Sequence, residues 1–219
     1  QPGITTAELD LIAAGELAGW GAESSPGLVY GFPGASCISL NSQVVHGVPS
    51  SRTRVEAGDL VKLDLTAQKD GYVADAAITV AVPAASLTAR RLAECAQSAF
   101  DCARSVARAG NRISAIGRAV EKEVRSAGFE VLRQWCGHGV GRTIHEAPEV
   151  PNFEDRTNPA VLSEGLVITI EPIVTAGIDK SFVSADGWTV VTADDALSAH
   201  YEHTVVITRG EPILITAPQ

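Results

Sequence analysis

Apolar positions along the chain alternate between two periods. Over residues 4–20, Leu9, Ile12, Ala13 and Leu17 recur at helical spacing behind Thr6, which can cap the first turn. Residues 28–50 read as a turn, Gly31-Phe32-Pro33-Gly34, followed by a short strand, Cys37-Ile38-Ser39-Leu40. The period then becomes two. Leu60 to Thr66 and Tyr72 to Val82 are β-like runs joined at Asp70-Gly71, a dipeptide suited to the two-residue turn of a hairpin. Helical spacing returns over 86–109 and 112–127, broken at Gly110 and closed at Gly128. Strand-like pieces follow at 166–174, 188–192, 203–208 and 212–216. Helix, strands, two helices, strands is an order that predicts an α+β fold rather than a wound parallel sheet. No tract rich in Pro, Gly or Ser interrupts it, so residues 1–219 read as one domain.

Composition narrows the function. A hydrophobic content of 45% over 219 residues is enough for one buried core and excludes disorder. The net charge of −9 argues against a nucleic-acid groove, which needs a basic surface. No run of eighteen apolar residues occurs, so no membrane span is predicted. Gln1 opens without a signal-like stretch, and Cys37, Cys95, Cys102 and Cys136 show no paired spacing; free thiols in the cytoplasm are the expectation. Cys95 and Cys102, seven apart in a helical run, share a face and read as packing residues. Methionine is absent even from position 1, which predicts a processed or partial chain.

The chemistry lies in the acids and imidazoles. With Asp70-Gly71 as the turn, Lys69 faces Tyr72, Asp64 faces Ala77, and Asp75 falls on the same face as Asp64. Two carboxylates among Leu, Val and Ala repel each other and lose hydration; a cation would neutralise them, although a solvated hairpin face is the equal alternative. Glu171 interrupts the apolar run Leu166 to Val174, where a lone acid needs a partner or a proton. Glu202 repeats the theme beside His203, which alternates to the other face and reads as structural. His138 sits in Cys136-Gly-His-Gly-Val-Gly141, and His145 in Thr143-Ile-His-Glu-Ala-Pro148. Four carboxylates and an imidazole suit divalent Mn, Fe, Co or Zn. No Gly-x-Ser-x-Gly elbow supports serine chemistry.

The combined pattern resembles the type I methionine aminopeptidases, M24 metallopeptidases of the pita-bread fold. The resemblance is carried by Asn41-Ser-Gln-Val-Val-His-Gly-Val-Pro49, Gly58-Asp-Leu-Val-Lys-Leu-Asp-Leu-Thr66, Lys69-Asp-Gly-Tyr72, Cys136-Gly-His-Gly-Val-Gly-Arg142, His145-Glu-Ala-Pro148, Thr169-Ile-Glu-Pro172, and Asp186-Gly-Trp-Thr189 through Tyr201-Glu-His-Thr204. It implies an antiparallel sheet in two pseudo-symmetric halves with helices on its outer face, and a catalytic domain spanning 1–219. It also implies two divalent ions (Co, Mn, Fe or Zn): Asp64 would chelate one, Asp75 and Glu202 would bridge both, and His138 with Glu171 would complete the other shell. Glu171 would also be the general base, His145 would donate to the developing oxyanion, and His46 would hold the scissile amide. Phe32, Cys37, Ile144 and Trp188 would line the methionine pocket. Asn41 and Ser198 match the lining of a monovalent-cation site for Na or K. Pro26 and Val29 stand where members carry a cysteine and a tyrosine. A further helix before Pro2-Gly3-Ile4 is implied and is missing from this sequence.

On this resemblance the chain would be a cytoplasmic monomer acting on peptide and nascent-chain N-termini, with no nucleic-acid or membrane partner. Two other readings keep the fold: a metalloaminopeptidase of X-Pro or broad specificity, and a non-catalytic peptide-binding relative. The second predicts missing ligands, and none of the five is missing.

Overall fold

The computed structural model describes residues 1–217. Among the described residues four helices are present: α1 (Thr6–Gly19), α2 (Ser25–Tyr30), α3 (Leu87–Val106) and α4 (Ile113–Ser126). The strands before α3 are β1 (Glu23–Ser24), β2 (Cys37–Leu40), β3 (Leu60–Lys69) and β4 (Tyr72–Ala81). Those after α4 are β5 (Glu130–Val131), β6 (Cys136–Gly139), β7 (Glu146–Pro151), β8 (Val167–Ile170), β9 (Ile173–Thr175), β10 (Ser181–Val183), β11 (Val190–Thr192), β12 (Ser198–His200), β13 (Glu202–Val206) and β14 (Ile213–Leu214).

The helix at the start is capped one residue earlier than expected. Thr5, not Thr6, is the cap: its hydroxyl accepts from the Glu8 N–H at 3.1 Å, and the Glu8 carboxylate accepts from the Thr5 N–H at 2.8 Å. This reciprocal pair satisfies two donors that the first turn leaves free. The expected apolar stripe is only partly used, since Leu17 is buried while Ile12 is exposed.

The central hairpin has the predicted register, with Lys69 opposite Tyr72, Asp64 opposite Ala77 and Thr66 opposite Asp75. Asp70 and Gly71 both have positive φ, 51° and 77°, which the tight turn demands. The main sheet runs β1-β3-β4-β13-β8-β6-β7, with β2 also on β3 and β14 also on β13. Every strand pair in it is antiparallel. β6 and β7 fall outside the sequence expectation, and the 166–174 run is split into β8 and β9 at Glu171-Pro172, because proline has no N–H for the ladder.

The long helices α3 and α4 cover one face of this sheet. Leu92, Ala96, Phe100, Ile113, Ile116, Val120 and Val124 meet Ile168, Ile170, Val205 and Ile207 in one core. Full burial of each large aliphatic side chain contributes about 1.5–3 kcal/mol. Strand alternation then assigns Thr169, Glu171, Glu202 and Thr204 to the opposite face. His203 belongs to the helix side: its ring lies 5.2 Å from that of Phe100, and its Nδ1 is 2.8 Å from the Thr216 hydroxyl. Cys95 is in the core as expected, and Cys102 is half-buried with its sulfur toward Glu123.

Candidate metal centre

The ladder brings the acids together from four strands. The Thr66 hydroxyl donates to Asp75 Oδ1 at 2.9 Å across the hairpin. The Asp75 N–H donates to the Thr204 hydroxyl at 2.9 Å, and that hydroxyl donates back to the Asp75 carbonyl at 2.8 Å, tying β4 to β13 beside Glu202. Thr169 of β8 does the same for the other half. Its hydroxyl accepts from the His138 N–H at 3.0 Å and donates to Glu171 Oε1 at 2.8 Å.

His138 shows what the site requires. Its Nδ1 lies 2.9 Å from the Gly139 carbonyl, which can only accept, so Nδ1 carries the proton and Nε2 presents a lone pair. That lone pair faces Glu171 Oε1 at 3.5 Å and Asp75 Oδ2 at 4.0 Å. With both carboxyls ionised, three acceptors converge there and repel one another unless a cation stands among them. Asp75, His138 and Glu202 each offer a donor atom within 4.8 Å of the others, and Glu171, His200 and Glu202 form a second such group. Asp64 lines the same cavity outside both groups.

Electrostatics point the same way. Burial raises all four carboxyls: Asp75 to about 6, and Asp64, Glu171 and Glu202 well above the carboxylate range, with their mutual charges adding to the last three. Burial lowers the imidazoles of His46, His138 and His145, and takes His200 down to about 3, with His46 and Lys62 adding to the effect. Acids that resist ionising beside imidazoles that resist protonation suit divalent cations, which neutralise the first and use the lone pairs of the second.

These groups open into a cavity of about 600 Å³. Phe32, Cys37, Ile144 and Trp188 all line it as expected, with the rings of Phe32 and Trp188 packed edge to face at 5.3 Å. His46 and His145 line it too, from opposite sides of the chain's midpoint. His46 has φ 56°, a left-handed backbone, and is followed by Gly47, whose added Cβ would fall 2.8 Å from the Ser39 Cα. Only glycine lets this loop lie so close against β2, and that approach aims His46 inward. His145 is held by Tyr30, whose hydroxyl lies 2.6 Å from its Nδ1.

Sequence reasoning missed three participants. Tyr30 lies on α2, a six-residue helix that shows no periodicity. His200 stands two positions before Glu202, so strand parity already placed both on one face. Lys62, read as an ordinary strand residue, is 1% exposed. Its ammonium donates to the Asn41 carbonyl at 2.7 Å, the Ser198 carbonyl at 3.0 Å and the Ser198 hydroxyl at 3.2 Å. Asn41 and Ser198, the residues expected to line a site for sodium or potassium, therefore give these oxygens to the chain's own cation. Burial pulls Lys62 down to about 7, opposed by the charge of Asp59.

Comparison with known proteins follows the same outline. The model of metallopeptidase family M24 matches residues 1–209. The chain belongs to that family. Methionine aminopeptidase 2 of Bacillus subtilis is 41% identical to this M24 chain over 217 residues, covering 99% of the chain and 87% of the relative. Methionine aminopeptidase of Escherichia coli is 39% identical over 209 residues, covering 95% and 79% respectively. The crystal structure of methionine aminopeptidase from Thermotoga maritima superposes with a TM-score of 0.95 at 32% identity, covering 99% of this chain and 87% of that one. Prolidase from Pyrococcus horikoshii shares the fold alone, with a TM-score of 0.74 at 23% identity over 100% of this chain and 56% of that one. The M24 chain thus has the α+β pita-bread architecture that its motifs implied.

Proposed function

We propose that this M24 chain is a methionyl aminopeptidase that removes N-terminal methionine from peptides and nascent proteins. One observation carries the reading: buried Asp75, Glu171 and Glu202, partly buried Asp64 and the Nε2 lone pair of His138 surround one cavity whose neighbouring wall is the apolar pair Phe32 and Trp188. The donor set fits two divalent ions, drawn from Co, Mn, Fe or Zn, held by Asp64, Asp75, His138, Glu171 and Glu202. When bound, such ions supply a water of lowered pKa and polarise a carbonyl.

The chain's own groups do the rest. Glu171, kept basic by ionisation of the loaded site and oriented by Thr169, takes the proton of the attacking water. His145, fixed by the Tyr30 hydroxyl, donates to the oxyanion, and His46 holds the scissile amide. Pre-set donors of this kind are typically worth about 3–4 kcal/mol of barrier each. Phe32, Cys37, Ile144 and Trp188 form an apolar wall suited to a thioether side chain.

Glu171→Ala tests the mechanism: hydrolysis of Met-Gly and Met-Ala peptides should vanish while the chain stays folded, and wild-type turnover would sink it. Equal cleavage of Leu-initiated and Met-initiated peptides would remove the methionine assignment, and cleavage confined to Xaa-Pro peptides would replace it with prolidase-like specificity. The same reading makes the protein a cytoplasmic monomer with one catalytic domain over 1–219. It needs no nucleic-acid or membrane partner, and among the described residues no helix is long and apolar enough to cross a membrane.

A further inference from the structure

The four acids and one imidazole of the proposed centre leave one buried side chain beside them unexplained. His200 is 2% exposed and makes no side-chain hydrogen bond from either ring nitrogen. Among the described residues, five buried side-chain polar atoms lack a partner, and three of them are His200 Nδ1, His200 Nε2 and Glu202 Oε1. An orphaned buried polar atom costs about 1–3 kcal/mol. An unpartnered Nε2 beside an unpartnered oxygen of Glu202 marks a missing counterpart.

The ring is also aimed and held. His200 ends β12, which pairs with β9 so that His200 lies opposite Ile173. Its backbone is clamped by Thr79 of β4, whose hydroxyl accepts the His200 N–H at 2.9 Å and donates to its carbonyl at 2.7 Å. From there Nε2 points between Glu202 Oε2, at 3.5 Å, and Glu171 Oε2, at 3.9 Å. Two donors on one tetrahedral ion, each at about 2.1 Å, are separated by about 3.4 Å, and trans donors on an octahedral ion by about 4.2 Å. Both separations at His200 fall in that range. They match the spacing of His138 Nε2 from Glu171, 3.5 Å, and from Asp75, 4.0 Å.

We propose that His200 is a sixth protein ligand of the metal centre, giving the ion held by Glu171 and Glu202 a second imidazole. The inference rests on the dinuclear reading above. It changes the character of the site: five donors of which one is nitrogen become six of which two are. Imidazole favours Zn, Fe and Co over Mn, so the added ring biases the choice of ion away from Mn.

The probe is Co(II), added to purified protein stripped with chelator. X-ray absorption should count two imidazoles across the bound ions in the wild type and one in His200→Gln. The variant should show altered visible ligand-field bands. Its Co(II) affinity should fall at least tenfold, with a smaller fall for Mn(II). One imidazole in the wild type, or an unchanged spectrum and affinity in the variant, overturns the proposal. Should His200→Gln fail to fold, His138→Gln serves: it should retain one imidazole, and a count of zero is the overturning result. A wild type that binds two Co(II) through a single imidazole removes His200 alone. A wild type that binds none removes the metal centre with it.

Discussion

Replacing Asp75 with asparagine separates what the site costs the fold from what it does for catalysis. In the absence of divalent ions, burial raises Asp75 from 3.8 to about 6. The folded protein therefore holds its proton longer than the unfolded one. The stabilisation this gives is complete below 3.8 and is lost as pH rises through about 6. A shift of roughly two units amounts to about 3 kcal/mol between the ionised and neutral forms. Asparagine stays neutral at every pH and keeps an oxygen for the Thr66 hydroxyl. Its amide can also donate toward the His138 Nε2 that now faces Asp75 Oδ2 at 4.0 Å. In chelator, Asp75→Asn should match the wild type at pH 4 and exceed it by about 3 kcal/mol at pH 7.5. For a chain of this size that is about 6–12 °C in Tm. Urea titrations of both proteins across pH 4–8, in chelator, read the difference directly. With divalent ions added the order should reverse, because the variant loses a carboxylate of the proposed centre. An asparagine variant no more stable than wild type at pH 7.5 in chelator would refute the claim that the ion-free acids are held against their preference for water.

Three further outcomes test the fold around the site. Exchanging Na and K for tetramethylammonium at constant ionic strength should leave peptidase activity within about twofold, because Lys62 already occupies the Asn41 and Ser198 oxygens. Lys62→Met should lower stability by about 1–3 kcal/mol through the Ser198 carbonyl left without its donor, and added Na or K should restore part of it. In Gly117→Ala the new Cβ on α4 would meet the Phe153 carbonyl oxygen and lie 2.6 Å from that of Pro151. Alanine's helix preference, about 1 kcal/mol, should be outweighed by the overpacking, giving a net loss read as a lower Tm. A variant of unchanged Tm would show that α4 can shift off β7 freely.

The sequence exposed those parts of the molecule that local chemistry determines. The Asp70-Gly71 turn and period-two alternation set the hairpin register, and the register alone set Asp64 and Asp75 on one face. Glu171 and Glu202 stood out because acids are rare in apolar runs. What escaped was decided by tertiary partners. β6 is Cys-Gly-His-Gly and β7 carries two prolines, so neither has strand propensity; they are strands because they pair with each other and β6 also pairs with β8. The cap of α1 was misplaced by one residue although Thr5 and Glu8 carry the spacing of a capping box. Lys62 looks like any lysine on a strand, since nothing local says that Asn41 and Ser198, one before the hairpin and one near the end of the chain, will close over its ammonium.

That closure has a kinetic consequence. A free monovalent ion joining the Asn41 loop to the Ser198 strand would come and go, and its occupancy would track the salt around the protein. The Lys62 ammonium is tethered through its own side chain, so its local concentration is fixed by bond lengths and cannot be diluted away. The junction next to β12, which carries His200, is therefore set when the chain folds and does not track the sodium or potassium around the protein, although it loses its charge as pH rises through about 7.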